Sequence, residues 1–202
     1  MPLSLVAEDP ASAFYARVLE RAPGPSLVLG SGDGRVAFAI AAKGVSVVAV
    51  EPSEPMHRAA LELAAQLPGV PPRLLHTDLR SLRLDQRFKF VCAPLNALGM
   101  MAERHHLESA LATVAQHLEP GGTFAFDLRS GERAPFSMHM SERAHTRSAI
   151  RRLRQTFFQV EDVDRALASV GLQAHERYGD FLMRPFEPAD TLQVIVGTNT
   201  LS

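Results

Sequence analysis

Short apolar runs alternate with segments of helical spacing between residues 26 and 128. The apolar runs predict strands at 26–29, 45–50, 73–76, 88–92 and 123–128. The amphipathic segments predict helices at 35–42, 55–66 and 104–118. Strands that alternate with helices form a parallel sheet with right-handed crossovers. We therefore predict an α/β chain folded as a Rossmann-like three-layer sandwich.

The two ends of the chain extend this pattern. Helical spacing predicts one helix at 11–21 and another at 160–170. Two strand-like runs follow the second helix, at 172–178 and 191–196, and the loop between them is rich in proline. Such a pair favours a hairpin at the edge of a sheet. The prediction is a mostly parallel seven-stranded sheet with an antiparallel C-terminal hairpin strand.

The composition fits one globular domain, 1–202, with 46% hydrophobic and 21% charged residues. A net charge of −1 provides no general attraction to nucleic acid or anionic lipid. The single cysteine, Cys92, excludes an intrachain disulfide and a cysteine-based metal cage. The apolar run at 45–50 is far shorter than the roughly 20 residues of a membrane helix. Because the N-terminus also lacks a signal sequence, we expect a cytoplasmic protein.

A glycine-rich turn follows the first predicted strand and consists of Gly30, Ser31, Gly32, Asp33 and Gly34. Glycine is favoured there because the chain must turn tightly and let a ligand approach its backbone. Dinucleotide sites usually have a G-x-G-x-x-G spacing, whereas this turn has G-x-G-x-G. The alternative is that the glycines only allow a helix to pack on a strand.

Glu51 ends the second predicted strand, 21 positions after Gly30. At that place in a nucleotide-binding α/β sheet, an acid accepts hydrogen bonds from ribose hydroxyls. The alternative is an ordinary surface glutamate at the end of a strand. Together, the glycine turn and the strand-end acid favour a ligand with a ribose.

At this point the sequence resembles the class I S-adenosylmethionine-dependent methyltransferases, of the small-molecule type with a methyltransferase domain. The resemblance covers about 26–128 and resumes at about 152–196. The segments that carry it, in chain order, are LVLGSGDGRVA, VVAVEPSEPM, HTDLRSL, FKFVCAPLNALGMM, HLEPGGTFAFDL and RYGDF. None of them is unique, but their order and spacing are distinctive.

The resemblance implies S-adenosylmethionine as cofactor and assigns residues to its parts. Gly30, Gly32 and Gly34, with Ser31 between them, would line the methionine moiety and the ribose. Glu51 would bind the ribose hydroxyls beside Pro52 and Met56. Asp78 would accept a hydrogen bond from the adenine amine, with Leu79 against the ring; the alternative is that Asp78 is a turn or helix cap. Ala93, Pro94 and Asn96 would lie beside the sulfonium and face the substrate.

Two departures from the family pattern bear on activity. Val28 stands in the first strand where relatives often have an acid that helps to bind the methionine amine. The segment 129–156 is a shortened substrate cover, where many relatives insert several strands. The leading hypothesis is methyl transfer to a nitrogen or oxygen of a small metabolite. The alternative is a non-catalytic protein that binds the cofactor or a partner through a degenerate methyltransferase fold.

Asn96 is the best candidate for a catalytic residue, as a hydrogen-bonding group that orients the acceptor. Methyl transfer is an in-line displacement, so much of its rate comes from alignment, and a base is needed only for a protonated acceptor. Tyr15 either closes over the cofactor or is simply a packed aromatic residue. His105 and His106 at the head of a helix are expected to be solvated, and the other histidines are scattered, so we predict no metal site.

Five arginines form the one basic cluster of the sequence: Arg143, Arg147, Arg151, Arg152 and Arg154. On a helix the first three would share a face that could bind an anionic substrate; otherwise the cluster is a solvated edge. The segment 93–96 lacks the Asn-Pro-Pro-aromatic pattern of enzymes that methylate DNA amines. We therefore expect a small-molecule acceptor and neither a nucleic-acid nor a membrane partner, while a homodimer stays open.

Overall fold

The computed structural model describes residues 9–80, 82–100, 105–131, 138–139, 152–153 and 157–200. The strands are β1 (Ser26–Leu29), β2 (Val47–Val50), β3 (Arg73–Leu75), β4 (Phe88–Ala93), β5 (Leu118–Arg129), β6 (Met138–His139), β7 (Arg152–Leu153), β8 (Leu172–Tyr178) and β9 (Leu192–Asn199). The helices are α1 (Pro10–Leu19), α2 (Arg35–Ala41), α3 (Glu54–Ala64), α4 (His105–His117) and α5 (Val160–Ser169).

Seven strands form one sheet in the order β3-β2-β1-β4-β5-β9-β8. The pairs from β3 to β5 are parallel, whereas β9 is antiparallel to both of its neighbours. The predicted sheet and its C-terminal hairpin are therefore confirmed. The strand order reverses between β1 and β4, and ligands of open α/β sheets bind beside the carboxyl ends of the strands at such a point.

The two faces of the sheet pack against different helices. Leu27 and Leu29 of β1 belong to a core that includes Leu111 of α4 and Leu167 of α5. Val28 points to the opposite face, in a core formed with α1 and α2. Because side chains alternate along a strand, each apolar strand is covered on both faces, as expected for a buried parallel sheet. This is the predicted three-layer sandwich.

The fifth strand begins earlier than its sequence predicts. Leu118 already pairs with Phe88, and a register shift separates that pair from Phe90 and Thr123. The Pro120-Gly121-Gly122 segment precedes the predicted strand at 123–128 and is of a type that favours a turn, but it lies inside β5 as an irregularity. Pairing of Leu118 with the neighbouring strand outweighs the turn preference of proline and glycine.

Most of the segment 129–156 lies outside the described residues, so its role as a shortened cover stays a prediction. Two short pieces of it, β6 and β7, pair antiparallel to each other. Arg152 lies in β7 and hence not on a helix, whereas Arg143, Arg147, Arg151 and Arg154 are outside the described residues. In the described part of the chain, none of the helices has the length and apolar character needed to cross a membrane.

Candidate functional site

The three glycines of the turn after β1 have backbone conformations that other residues adopt only with strain. Gly30, Gly32 and Gly34 have φ values of +67°, +57° and +89°. A Cβ on Gly30 would lie 2.6 Å from the Cβ of Ala97, whereas near Gly32 it would meet only the terminal methyl of Met56, at 3.7 Å. The backbone at Gly32 is thus open to a ligand, while Gly30 is required for packing.

Glu51 holds this turn from the end of β2. Its side chain is buried, at 7% relative exposure. Its Oε2 accepts a hydrogen bond of 2.8 Å from the backbone N–H of Gly32, and its Oε1 accepts one of 2.8 Å from that of Ser53. Each carboxylate oxygen has a second lone-pair position, so hydroxyl donors can still bind.

The site also contains a buried polar atom that no described residue satisfies. The Ser31 side chain is 4% exposed, and its Oγ has no hydrogen-bond partner in the described part of the chain. Buried polar atoms are normally hydrogen-bonded, so a hydroxyl of this kind indicates that something else binds there. The ammonium or carboxylate of a methionine moiety has the required polarity, so the residues fit the cofactor that the sequence implies.

Two histidines that are far apart in the sequence meet in the fold, His57 in α3 and His76 directly after β3. The imidazoles of His57 and His76 are stacked, with ring centroids 5.3 Å apart, and His76 Nε2 lies 3.1 Å from the carbonyl oxygen of Pro52. His76 therefore contacts Pro52, the residue directly after Glu51, while the terminal methyl of Met56 lies beside Gly32 of the glycine turn.

Asp78 is bound to a neighbouring arginine. Its carboxylate accepts hydrogen bonds from the backbone N–H of Arg80 at 2.8 Å and from the Arg80 guanidinium. These contacts with Arg80 lower the pKa of Asp78 below its usual value. Leu79 is buried, and its Cδ2 would lie 3.8 Å from a Cβ on Gly30, so the residue after Asp78 does reach the glycine turn.

The turn after β4 contains two non-glycine residues in the left-handed region, Leu95 (φ +57°) and Asn96 (φ +59°). Their backbone N–H groups donate to one carboxylate, that of Asp127 near the end of β5, at 2.6 and 2.7 Å. The Tyr15 hydroxyl of α1 also donates to Asp127, at 2.6 Å. Ala93 and Pro94 are buried at the start of this turn.

Asp127 is buried, at 2% exposure, and its environment changes its acidity. Burial raises its pKa to about 6, although the hydrogen bonds from Tyr15, Asn96 and Leu95 and the charge of Arg129 all act in the opposite direction. Burial and the charge of Asp127 raise the pKa of Tyr15 well above its usual value. Tyr15 therefore stays a neutral phenol and donates a hydrogen bond to Asp127.

The Asn96 side chain has one satisfied end and one free end. Its Oδ1 accepts a 3.1 Å hydrogen bond from the backbone N–H of Arg129, which fixes the amide orientation because only oxygen can accept that proton. Its Nδ2 is buried and has no partner in the part of the chain that the structure describes. Asn96 thus presents an unused donor at the end of β4, where the sequence places an orienting group.

Sequence reasoning missed Asp127 and the polar contact of Tyr15. The signal for Asp127 was available, since it is the one acid within the predicted strand at 123–128, near its carboxyl end. Tyr15 is fully buried, as the packed-aromatic interpretation expects, but its hydroxyl also has a specific acceptor 112 residues away. Val28 lies within the apolar core between the sheet, α1 and α2. β1, with the sequence SLVL, therefore has no acid at the position where relatives often have one.

Comparisons with known proteins agree with this geometry. A family described as "Methyltransferase domain" matches residues 27–122, which include the glycine turn, Glu51, Asp78 and Asn96. The cypemycin N-terminal methyltransferase of a Streptomyces species is 30% identical over 105 residues. That alignment covers 50% of this chain and 40% of the length of the relative.

Solved structures match over nearly the whole chain. The CcbJ methyltransferase from Streptomyces caelestis has a TM-score of 0.80 at 27% identity, over 96% of this chain and 90% of its own. The glycopeptide N-methyltransferase MtfA, in complex with (S)-adenosyl-L-methionine, shares the fold with a TM-score of 0.70 at 20% identity, over 93% and 86% of the two chains. The methyltransferase-domain match over 27–122, the curated relative and these solved structures together support a class I S-adenosylmethionine-dependent methyltransferase.

Proposed function

We propose that this protein transfers the methyl group of S-adenosylmethionine to a nitrogen or oxygen of a small metabolite, with nitrogen favoured. Two of its relatives are named for methylation at nitrogen: the cypemycin N-terminal methyltransferase and the glycopeptide N-methyltransferase MtfA. The observation that carries the proposal is the buried Asn96 Nδ2 donor, which has no partner among the described residues and belongs to the turn whose Ala97 packs on Gly30.

The cofactor would be held by residues at the ends of three strands. Glu51 would accept the ribose hydroxyls at the lone-pair positions that the backbone of Gly32 and Ser53 leaves open. Ser31 Oγ would hydrogen-bond to the methionine moiety, for which the backbone of Gly32 leaves room. Asp78 and Leu79 would flank the adenine, with Arg80 fixing the carboxylate of Asp78.

The cofactor supplies an electrophilic methyl group on a sulfonium. The protein's contribution is to place the lone pair of the acceptor in line with that methyl, since alignment provides much of the rate of such displacements. Asn96 Nδ2 can donate a hydrogen bond to an oxygen of the acceptor. Its own orientation is fixed because Oδ1 is held by the backbone of Arg129. An amine that arrives neutral needs no base for this step.

Binding of the cofactor is tested by thermal unfolding with S-adenosylmethionine or S-adenosylhomocysteine, with NAD as the control ligand. A ligand at about 100 times its Kd adds roughly 2.7 kcal/mol, a shift of about 5–10 °C for a domain of this size. A shift with both adenosyl ligands and none with NAD supports the proposal. Absence of a shift at millimolar ligand would favour the non-catalytic alternative.

Catalysis is tested by measuring S-adenosylhomocysteine release with matched panels of small amines and small alcohols. We expect turnover with amines, and mass spectrometry of the product should show one added methyl on nitrogen. Asn96→Ala should lower kcat by about 10-fold or more while S-adenosylhomocysteine still binds, because it removes the orienting donor. Turnover with alcohols alone would overturn the preference for nitrogen, and an unchanged kcat in Asn96→Ala would overturn its role.

A further inference from the structure

The turn after β4 contains a residue in a conformation that it does not favour. Left-handed backbone costs roughly 1 kcal/mol or more for a residue such as Leu95, whereas Asn96, which follows it in the same conformation, adopts it more readily. Consecutive backbone N–H groups in turns of this kind converge on an anion. In this protein the anion is the buried carboxylate of Asp127, which accepts from both N–H groups. Strained segments persist where the surrounding contacts determine them fully.

The same turn determines the position of the glycine turn. The backbone N–H of Ala97 donates to the carbonyl of Pro94 at 3.2 Å, so Ala97 is fixed by the turn that Asp127 holds. Ala97 packs so closely on Gly30 that a Cβ there would lie 2.6 Å away. A movement of the Leu95–Asn96 segment is therefore transmitted to the wall of the cofactor site.

We propose that Asp127 is a positioning residue for methyl transfer. Its carboxylate fixes the turn after β4 against the glycine turn, keeps Asn96 aligned, and connects helix α1 to both through Tyr15. Asp127 is buried, at 2% exposure, and its oxygens accept three hydrogen bonds from the protein, so the role proposed for it is exerted through the turn and through Tyr15. The effect of Asp127 on methyl transfer rests on the proposed function, whereas its effect on the conformation of the turn does not.

The turn is held best when Asp127 is ionised, since the carboxylate accepts from both backbone N–H groups, so the conformation of the turn should depend on pH. The titratable and charged groups that face it are Tyr15 from α1, Cys92 from β4 and Arg129 on β5. Near neutral pH the carboxylate accepts from both amides, whereas protonation converts one of its oxygens into a donor. Below the pKa of Asp127, therefore, the carboxyl group is a weaker acceptor for the two N–H groups, and the left-handed turn loses part of its support.

The structural part of the proposal is tested on the protein without ligand, by following the amide ¹H and ¹⁵N shifts of Leu95 and Asn96 from pH 4.5 to 8. Both should titrate with a midpoint near 6, as Asp127 does, while the amide of Val48 in β2 serves as reference. In Tyr15→Phe the midpoint should move to higher pH, because the lost hydroxyl stabilised the charged form. Absence of these titrations, or an unmoved midpoint in Tyr15→Phe, would overturn the proposal.

The functional part is tested by the affinity for S-adenosylhomocysteine, measured by calorimetry at pH 7.5 after circular dichroism confirms folding. Asp127→Asn should weaken binding about tenfold, because the new NH₂ group cannot accept from an amide. Asp164→Asn, an exposed acid on α5, is the matched control and should bind as the wild type does. Wild-type affinity in Asp127→Asn would overturn the positioning role. If the wild type itself does not bind, the proposed function fails, while the amide titration still tests the hold of Asp127 on the turn.

Discussion

Glu51 and Asp127, two acids near strand ends, each hold a turn of the site by accepting hydrogen bonds from its backbone. Glu51 accepts from the backbone of Gly32 and Ser53, and Asp127 accepts from that of Leu95 and Asn96. Each carboxylate thereby fixes a turn at the carboxyl end of a parallel strand before any ligand is present. Such preorganisation reduces the free-energy cost of ordering the site when a ligand binds.

At this scale, replacement of Glu51 by glutamine should weaken cofactor binding about tenfold or more. The glutamine NH₂ group would face one of the two backbone N–H groups, and an unsatisfied buried donor costs about 1–3 kcal/mol. The Kd for S-adenosylhomocysteine, measured by calorimetry, checks this. Glu54→Gln is the matched control, because Glu54 is exposed and forms a surface ion pair with Arg58 at i, i+4. Equal affinity in Glu51→Gln and wild type would show that Glu51 does not contact the ribose.

Among the elements, the strands were the most predictable, because their signal is local. β1 and β8 have the predicted bounds, while β5 begins at Leu118 because its pairing with Phe88 depends on the neighbouring strand. The glycine turn and Glu51 were also found from local pattern. The contacts of Asp127 were not, since they join residues that are 31 to 112 positions apart. Such contacts arise only when the sheet brings the ends of its strands together.

The packing of α2 on α3 provides a prediction at the scale of elements. Gly34 has φ +89°, and a Cβ on it would lie 2.9 Å from the Phe38 ring and 3.2 Å from Ala60. Gly44 has φ +80° but no atom within 4 Å of the Cβ position. Alanine at either site is destabilised by the left-handed backbone conformation. Only Gly34→Ala also crowds the two helices, which should lower the free energy of unfolding by about a further 1–3 kcal/mol.

Urea unfolding of Gly34→Ala and Gly44→Ala checks this difference, because the backbone cost is common to both variants. We expect the lower midpoint for Gly34→Ala at an unchanged slope. Equal midpoints would mean that Phe38 moves aside without cost and that Gly34 is required only for its backbone conformation.

At the scale of the whole molecule, Tyr15 and Asp127 connect the helix layer to the ligand-binding edge of the sheet. Asp127 is costly to ionise where it lies, since burial raises its pKa from 3.8 to about 6. The folded state therefore gives up this proton at a higher pH than the unfolded chain does. The carboxylate that fixes the turn is thus obtained at the expense of global stability, a trade that is common at functional sites.

The sign of this effect sets the last prediction. Between pH 4 and pH 6 the folded state binds more protons at Asp127 than the unfolded state, so the free energy of unfolding falls as pH rises. A displacement of about two pH units corresponds to about 3 kcal/mol. Asp127→Asn does not titrate, so the stability of the wild type relative to this variant should decrease by about that amount from pH 4 to pH 7.

Urea unfolding of both proteins across this pH range measures the difference. Other titrating groups cancel in it, including His117, whose pKa is lowered by burial and which changes stability in the opposite direction. A difference that rises with pH would mean that hydrogen bonds to Asp127 outweigh its burial, so that its carboxylate stabilises the fold as well as the site. A falling difference would place Asp127 among residues that are retained for function at a cost in stability.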